Sequence, residues 1–205
     1  MRALHTFVLG SLLCTALLAS GNAAHAGAFD DAQAKAGKVK SLKQALNALA
    51  KPCDLYDVGG HECQERRKKV QKKLRAKPHY LYLGVVEQGF KVTGIRGQKV
   101  KATWAPIVDA GGNIALTVGK PLRLKKGMPV MKLLPLKLTL ADGVFDSDLE
   151  RAVRLGQVSI EVVGRFGKVW EKKHKGEPVR GVAFKATHIR LSNARNGKPL
   201  AEGRL

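Results

Sequence analysis

A chain of 205 residues that is 44% hydrophobic and 26% charged can bury one ordinary core, which excludes a disordered polyelectrolyte. Its 37 lysines and arginines against 16 aspartates and glutamates leave a formal charge of +21, a field that attracts polyanions. Beyond the first 26 residues no run is apolar for long enough to cross a bilayer, which excludes a helical multispanning protein.

Residues 1–26 read as a secretory leader. Arg2 supplies the positive start, residues 7–19 form an apolar run too short to span a membrane comfortably, and Ala24, His25 and Ala26 make an A-x-A cleavage site. The expected product is a periplasmic or secreted protein cleaved after Ala26. Its charge is +20, because the leader carries Arg2 and no acidic residue. Leu12 and Leu13 stand before Cys14 where a lipid anchor would need small residues, so release is expected instead of lipidation.

Cleavage removes Cys14 and leaves Cys53 and Cys63 as an even pair in an oxidising compartment, where a disulfide is the expected state. Gly59 and Gly60 let the short loop double back. The alternatives are zinc held by Cys53, His61 and Cys63, which lacks a fourth ligand, and a catalytic dithiol, which would usually show Cys-x-x-Cys.

Residues 27–78 read as a helical N-terminal segment, a hairpin of two helices with the disulfide loop at their junction. Val39, Leu42, Leu46 and Leu49 recur at spacings of three and four, which predicts a helix over residues 30–50 that Pro52 stops. Glu62 to Lys77 has no breaker and ends at Pro78, with Val70 and Leu74 as its one narrow apolar stripe.

From His79 to Leu205 the period changes to two, which predicts an antiparallel β domain and an α+β class overall. Val100, Ala102 and Trp104 share one parity, as do Ile114, Leu116 and Val118, and Leu134, Leu136, Leu138 and Leu140. Pro135 predicts an edge or a bulge, and residues 80–86, apolar on both parities, predict a strand covered on both faces. Seven or eight strands are expected. One short helix over residues 147–155 interrupts them, opened by a capping box of Ser147 and Glu150 and closed by Gly156. Two later strands change parity together: Val158, Ile160 and Val162 give way to Val169, and Val182, Phe184 and Ala186 to Ile189 and Leu191. Paired shifts predict a bend crossing both strands, and hence a curled sheet or a small barrel, with an OB-like barrel as one form of closure.

Motifs for chemistry are missing. His61, His79, His174 and His188 form no metal-binding pair spacing, and Ser41, Ser147, Ser159 and Ser192 lie in no nucleophile motif. No glycine-rich phosphate loop occurs, so no cofactor is expected. Asp142, Asp146, Asp148 and Glu150 read as a turn followed by an acidic helix N-terminus, not as a catalytic pair.

Charge is the remaining signal. Arg66, Arg67, Lys68, Lys69, Lys72, Lys73, Arg75 and Lys77 wrap one predicted helix, and Lys168, Lys172 and Lys173 cluster beside Trp170, a candidate stacking residue. The expectation is a non-enzymatic envelope binding or accessory protein drawn to an anionic envelope component, an acidic polymer or the membrane surface, or to another envelope protein. Nucleic acid is a less favoured partner because export separates the two. The alternatives are an envelope enzyme without linked motifs and a protein-interaction module whose charge is incidental.

Overall fold

The computed structural model describes residues 27–53, 59–85, 89–105, 107–109, 114–119, 121–126 and 128–205. The predicted leader at 1–26 lies outside them, as do most of the cysteine loop and the glycine turn at 110–113. Among the described residues are four helices and a large, mostly antiparallel sheet, an α+β architecture.

The helix predicted over 30–50 is two helices separated by a short strand. α1 (Gly27–Ala34) buries Phe29, β1 (Gly37–Lys38) lies parallel to the start of β2 (His79–Val85), and α2 (Leu42–Ala50) follows. The break is imposed from a distance, since the Gly37 amide donates to the Pro78 carbonyl at 2.9 Å. Ser41 then restarts the helix, its hydroxyl accepting from the Gln44 amide at 3.3 Å. α2 buries Ala45, Leu46, Leu49 and Ala50 in the core, while Leu42 packs at its margin. α3 (Gly60–Ala76) carries the basic run.

Val100 and Trp104 of β4 (Lys99–Trp104) and Leu136 and Leu138 of β9 (Leu134–Leu140) point inward as their alternation predicts. β3 (Phe90–Arg96) flanks β4, and β5 (Ile107–Asp109) flanks β6 (Ile114–Val118). β7 (Arg123–Lys125) and β8 (Met128–Val130) form a separate two-stranded sheet. The twelve strands among the described residues exceed the expected seven or eight by short ones of two or three residues, β1, β5, β7 and β8, too brief for periodicity to register. Pro135 sits where β9 has β4 on one side, because β12 (Pro199–Arg204) pairs with β9 only at Thr139 and Leu140. β2 is covered less than predicted: Leu81 is buried, but Tyr82 is 56% exposed.

The helix at the centre of the β region is α4 (Asp146–Arg154), and it is not capped by Ser147. Phe145 holds the N-cap position, where it has no acceptor to offer, and the Asp148 carboxylate reaches back to accept from the Phe145 amide at 3.0 Å. The first-turn carboxylates Asp146 and Asp148 thus serve the helix terminus.

β10 (Val158–His174) and β11 (Glu177–Asn193) are two 17-residue strands joined by a tight turn in which Lys175 and Gly176 both have positive φ. Register shifts fall between Val163 and Gly164 and between Phe166 and Val169, where the paired parity changes predict them. Gly164 is required at this bend: a Cβ there would meet the Lys185 carbonyl and the Phe184 ring. Both strands outlast their neighbours. β2 pairs with the first part of β10, β6 runs parallel to the first part of β11, and β12 pairs with its last part. The sheet therefore forks at the bend and does not close into a barrel. Its order is β1-β2-β10-β11-β12-β9-β4-β3, and the terminal strands β1 and β3 do not meet. One continuous core joins the sheet's inner face to α2 and α4, with Phe184, Ile160, Ile189 and Leu191 fully buried.

Candidate functional site

The cysteine pair is a disulfide, with Cα atoms 6.0 Å apart and a sequence separation of 10. It ties the entry of α3 to the segment just beyond α2. Both sulfurs being bonded to each other, neither is a metal ligand, and among the described residues no three His, Cys, Asp or Glu side chains converge on a common point.

The basic run divides by function along α3. Arg67, Val70, Gln71 and Leu74 fall at spacings of three, one and three, the inward stripe of a helix. Arg67 Nη2 donates to the Leu49 carbonyl at 2.9 Å, and Gln71 Nε2 donates to the same oxygen at 3.0 Å. These two side chains satisfy a carbonyl in the last turn of α2, where the helix leaves its final carbonyls without partners of their own. Arg67 is accordingly half-buried, and burial, with Arg180 and Arg75 adding repulsion, pulls its guanidinium below the usual arginine value. It belongs to the packing and not to the free cationic face where its sequence context placed it. Arg66, Lys68, Lys69, Lys72, Lys73, Arg75 and Lys77 are exposed. Lys68 is paired with Glu65 at 2.8 Å, and that contact holds Glu65 below the ordinary carboxylate range.

The end of α3 is bound to the sheet through His79. Its Nε2 donates to the Leu74 carbonyl at 2.9 Å and its ring packs on Phe166, with centroids 5.4 Å apart. Burial lowers the His79 pKa, so the ring sits neutral in the fold near pH 7.

The second cluster sits on the outer half of β10. Lys168 and Lys173 are exposed, and Lys172 is half-buried with its ammonium donating to the Leu122 carbonyl at 3.1 Å. Trp170 is not a surface platform. It is 5% exposed, its indole lies against Gly181, and its Nε1 donates to the Thr117 hydroxyl at 3.0 Å, which leaves no open ring face for a base. Glu171 and Arg180 pair across the hairpin at 2.6 Å.

A buried polar group on the outer face of the sheet is not evident from motif or spacing. Glu161, Arg190 and Glu202 stand opposite one another on β10, β11 and β12. Arg190 donates to Glu202 Oε2 through Nε and Nη2 at 3.2 and 3.1 Å, binds Asp30 at 2.7 Å and lies 4.3 Å above the Phe29 ring. Glu161 accepts from the Tyr80 hydroxyl at 3.0 Å and from Ser192 Oγ at 2.8 Å. Burial and the neighbouring Glu161 push Tyr80 up to about 12. Burial raises Glu202 despite its bond to Arg190. The group fastens α1 across the sheet. Its signal in sequence is the polar parity of β10 and β11, opposite to Ile160 and Leu191, where Glu161 and Arg190 alternate with core residues.

Chemically, the described surface offers many exposed cations and few carboxylates to neutralise them. Two hydroxyls meet a basic group among the described residues, Ser192 Oγ with Glu161 at 2.8 Å and Thr187 Oγ1 with His188 Nδ1 at 3.0 Å; the first belongs to the buried group on β10–β12, and the Thr187 hydroxyl also lies 3.1 Å from the Val163 carbonyl. The chain belongs to DUF6066, a family of unknown function whose sequence profile matches residues 1–203. No curated protein and no solved structure matches it.

Proposed function

We propose that this is an exported, non-enzymatic binding module that attaches through its cationic surface to an anionic polymer or membrane surface of the cell envelope. The observation that carries the reading is α3. Seven exposed cations from Arg66 to Lys77 surround a helix that docks only by Arg67, Val70, Gln71 and Leu74. One ion pair, Lys68 with Glu65, offsets that charge on the helix itself. Like charges one turn apart oppose one another, so a bound polyanion would stabilise the helix as well as attach it. We read α2 and α3 as a disulfide-stapled hairpin that holds this face on the sheet. The leader-like first 26 residues and the disulfide support an oxidising, extracytoplasmic location. Among the described residues no helix is long and apolar enough to cross a membrane.

The test replaces Arg66, Lys69, Lys72 and Lys73 by Gln and spares Arg67, since Gln is a comparable helix former. Binding to an acidic polysaccharide and to anionic vesicles is then measured across a salt series. Weaker binding with a shallower salt dependence is expected, because fewer counterions are released. A control replaces the exposed Lys35, Lys38, Lys91 and Lys198. Equal losses in both variants would remove α3 as the site, and no binding by the parent would remove the proposal.

A further inference from the structure

The β7–β8 hairpin stands apart from the main sheet and carries an unusual surface. Leu122 is 62% exposed, Met128 55% and Leu133 56%. Single exposed hydrophobes are ordinary, but three within twelve residues, Met128 in the hairpin with Leu122 before it and Leu133 after it, give this segment the apolar exposure that marks an interaction surface. The hairpin is not loose chain. Pro129 is buried, the Leu122 amide donates to the Val130 carbonyl at 2.9 Å, and Lys172 of β10 holds the Leu122 carbonyl. Its register sets cations against apolar side chains, Lys125 across from Met128 and Arg123 across from Val130.

The charge around the patch is one-sided. From residue 110 to 141 the sequence has six cations, Lys120, Arg123, Lys125, Lys126, Lys132 and Lys137, and no carboxylate. Among these Arg123, Lys125, Lys126 and Lys132 are exposed beside the hydrophobes.

We infer that the β7–β8 hairpin is a membrane-surface contact that seats Leu122, Met128 and Leu133 at the headgroup boundary of an anionic bilayer while its lysines and Arg123 bind lipid phosphates. The inference rests on the envelope-attachment reading and narrows its partner to lipid. A bilayer interface offers what this surface complements: a plane of phosphates directly above an apolar layer, reachable by long basic side chains whose stems lie along the apolar residues. Two weak signals, a small apolar payload and a basic cluster, together give stable binding where either alone is marginal. A water-soluble acidic polymer would use the cations and leave the three hydrophobes in water.

The test uses the purified protein, as processed by its host, with the substitution Met128→Trp. Trp104 and Trp170 are buried, 3% and 5% exposed, so the introduced indole is the one a lipid-borne quencher reaches. On phosphatidylcholine vesicles containing phosphatidylglycerol its emission shifts to the blue and is quenched by brominated acyl chains, and on phosphatidylcholine alone it is not. In a second variant, Leu122→Ser, Met128→Ser and Leu133→Ser together weaken binding to the anionic vesicles about tenfold or more and leave binding to dextran sulfate unchanged. Vesicle binding without quenching, and equal in the serine variant, would overturn the hairpin contact and leave α3 as the attachment site. Binding to dextran sulfate but not to vesicles would overturn it in favour of a polymer or a protein partner. Failure of the parent to bind either probe overturns both this inference and the proposed function.

Discussion

Arg67 and Leu49 are joined by a hydrogen bond of 2.9 Å from the guanidinium to the carbonyl, across eighteen positions of sequence. The bond separates one arginine of a basic run from its neighbours. Arg67→Gln should lower stability by about 1–3 kcal/mol, because the α2 terminus loses a charged donor. Arg66→Gln, on the exposed side, should stay within about 0.5 kcal/mol of the parent. Urea denaturation of the two variants decides this, and equal midpoints would refute the division of α3 into a packed and a free face.

Gly181 has a comparable role beneath Trp170. A Cβ at that position would overlap the indole and fall 2.6 Å from the Ala115 carbonyl, so the ring or β6 must move. Gly181→Ala is expected to cost about 1–3 kcal/mol and to alter the near-ultraviolet dichroism of the tryptophans. An unchanged spectrum and midpoint would mean that Trp170 does not lie on this glycine.

Arg190 and Glu202 form a buried pair, each 7% exposed. Arg190→Met strands the Glu202 carboxyl without its donor and should destabilise by about 3–5 kcal/mol, whereas adding Glu202→Leu should restore much of the loss. A double-mutant cycle measures the coupling, and strictly additive effects would show that the two side chains do not interact.

Acid should weaken the fold through its histidines. Burial holds both His79 and His188 below the ordinary histidine value; the Leu74 carbonyl opposes the shift at His79 and Arg204 reinforces it at His188. The unfolded chain, with histidines near 6.5, therefore takes up protons first as pH falls. Stability present above about pH 6.5 is lost on descent through that value toward the lower folded pKa values. Glu202, raised by burial, has the opposite sign: its contribution is complete below the unfolded value of 4.5 and is lost as pH rises through the folded one. Melting temperatures measured between about pH 7.5 and 5.5 should fall, and His79→Gln should flatten the curve. An identical slope in that variant would assign the acid sensitivity elsewhere.

Reduction of the disulfide provides the remaining check. Peptide mapping without reductant should recover Cys53 joined to Cys63, and Cys53→Ser with Cys63→Ser should lower stability by about 2–3 kcal/mol for so short a loop. Two free thiols in the purified protein would contradict the pairing.

The parts of this molecule legible in its sequence are those governed by local periodicity and one-sided burial. Alternation in β4, β9 and the first half of β10 places Val100, Leu136 and Ile160 inside, because successive strand side chains point to opposite faces and only one face meets the core. The bend in the β10–β11 hairpin is legible for the same reason: a bulge shifts parity in the strand that carries the extra residue, Thr187 in β11 and the 167–168 stretch, opposite Ala183 alone, in β10. Arg67 reads as one more cation, since the Leu49 carbonyl it satisfies comes from another helix. The break between α1 and α2 depends on the Pro78 carbonyl, and the burial of Trp170 on Gly181 and Thr117, groups that no window around those residues contains. Closure of the sheet likewise turns on which strands flank each half of β11, β6 along Arg180–Phe184 and β12 along His188–Ser192, and both come from distant parts of the sequence. A side chain's face is set by its neighbours in sequence; its partner is set by hydrogen-bond groups and contacts that only the tertiary fold brings within reach.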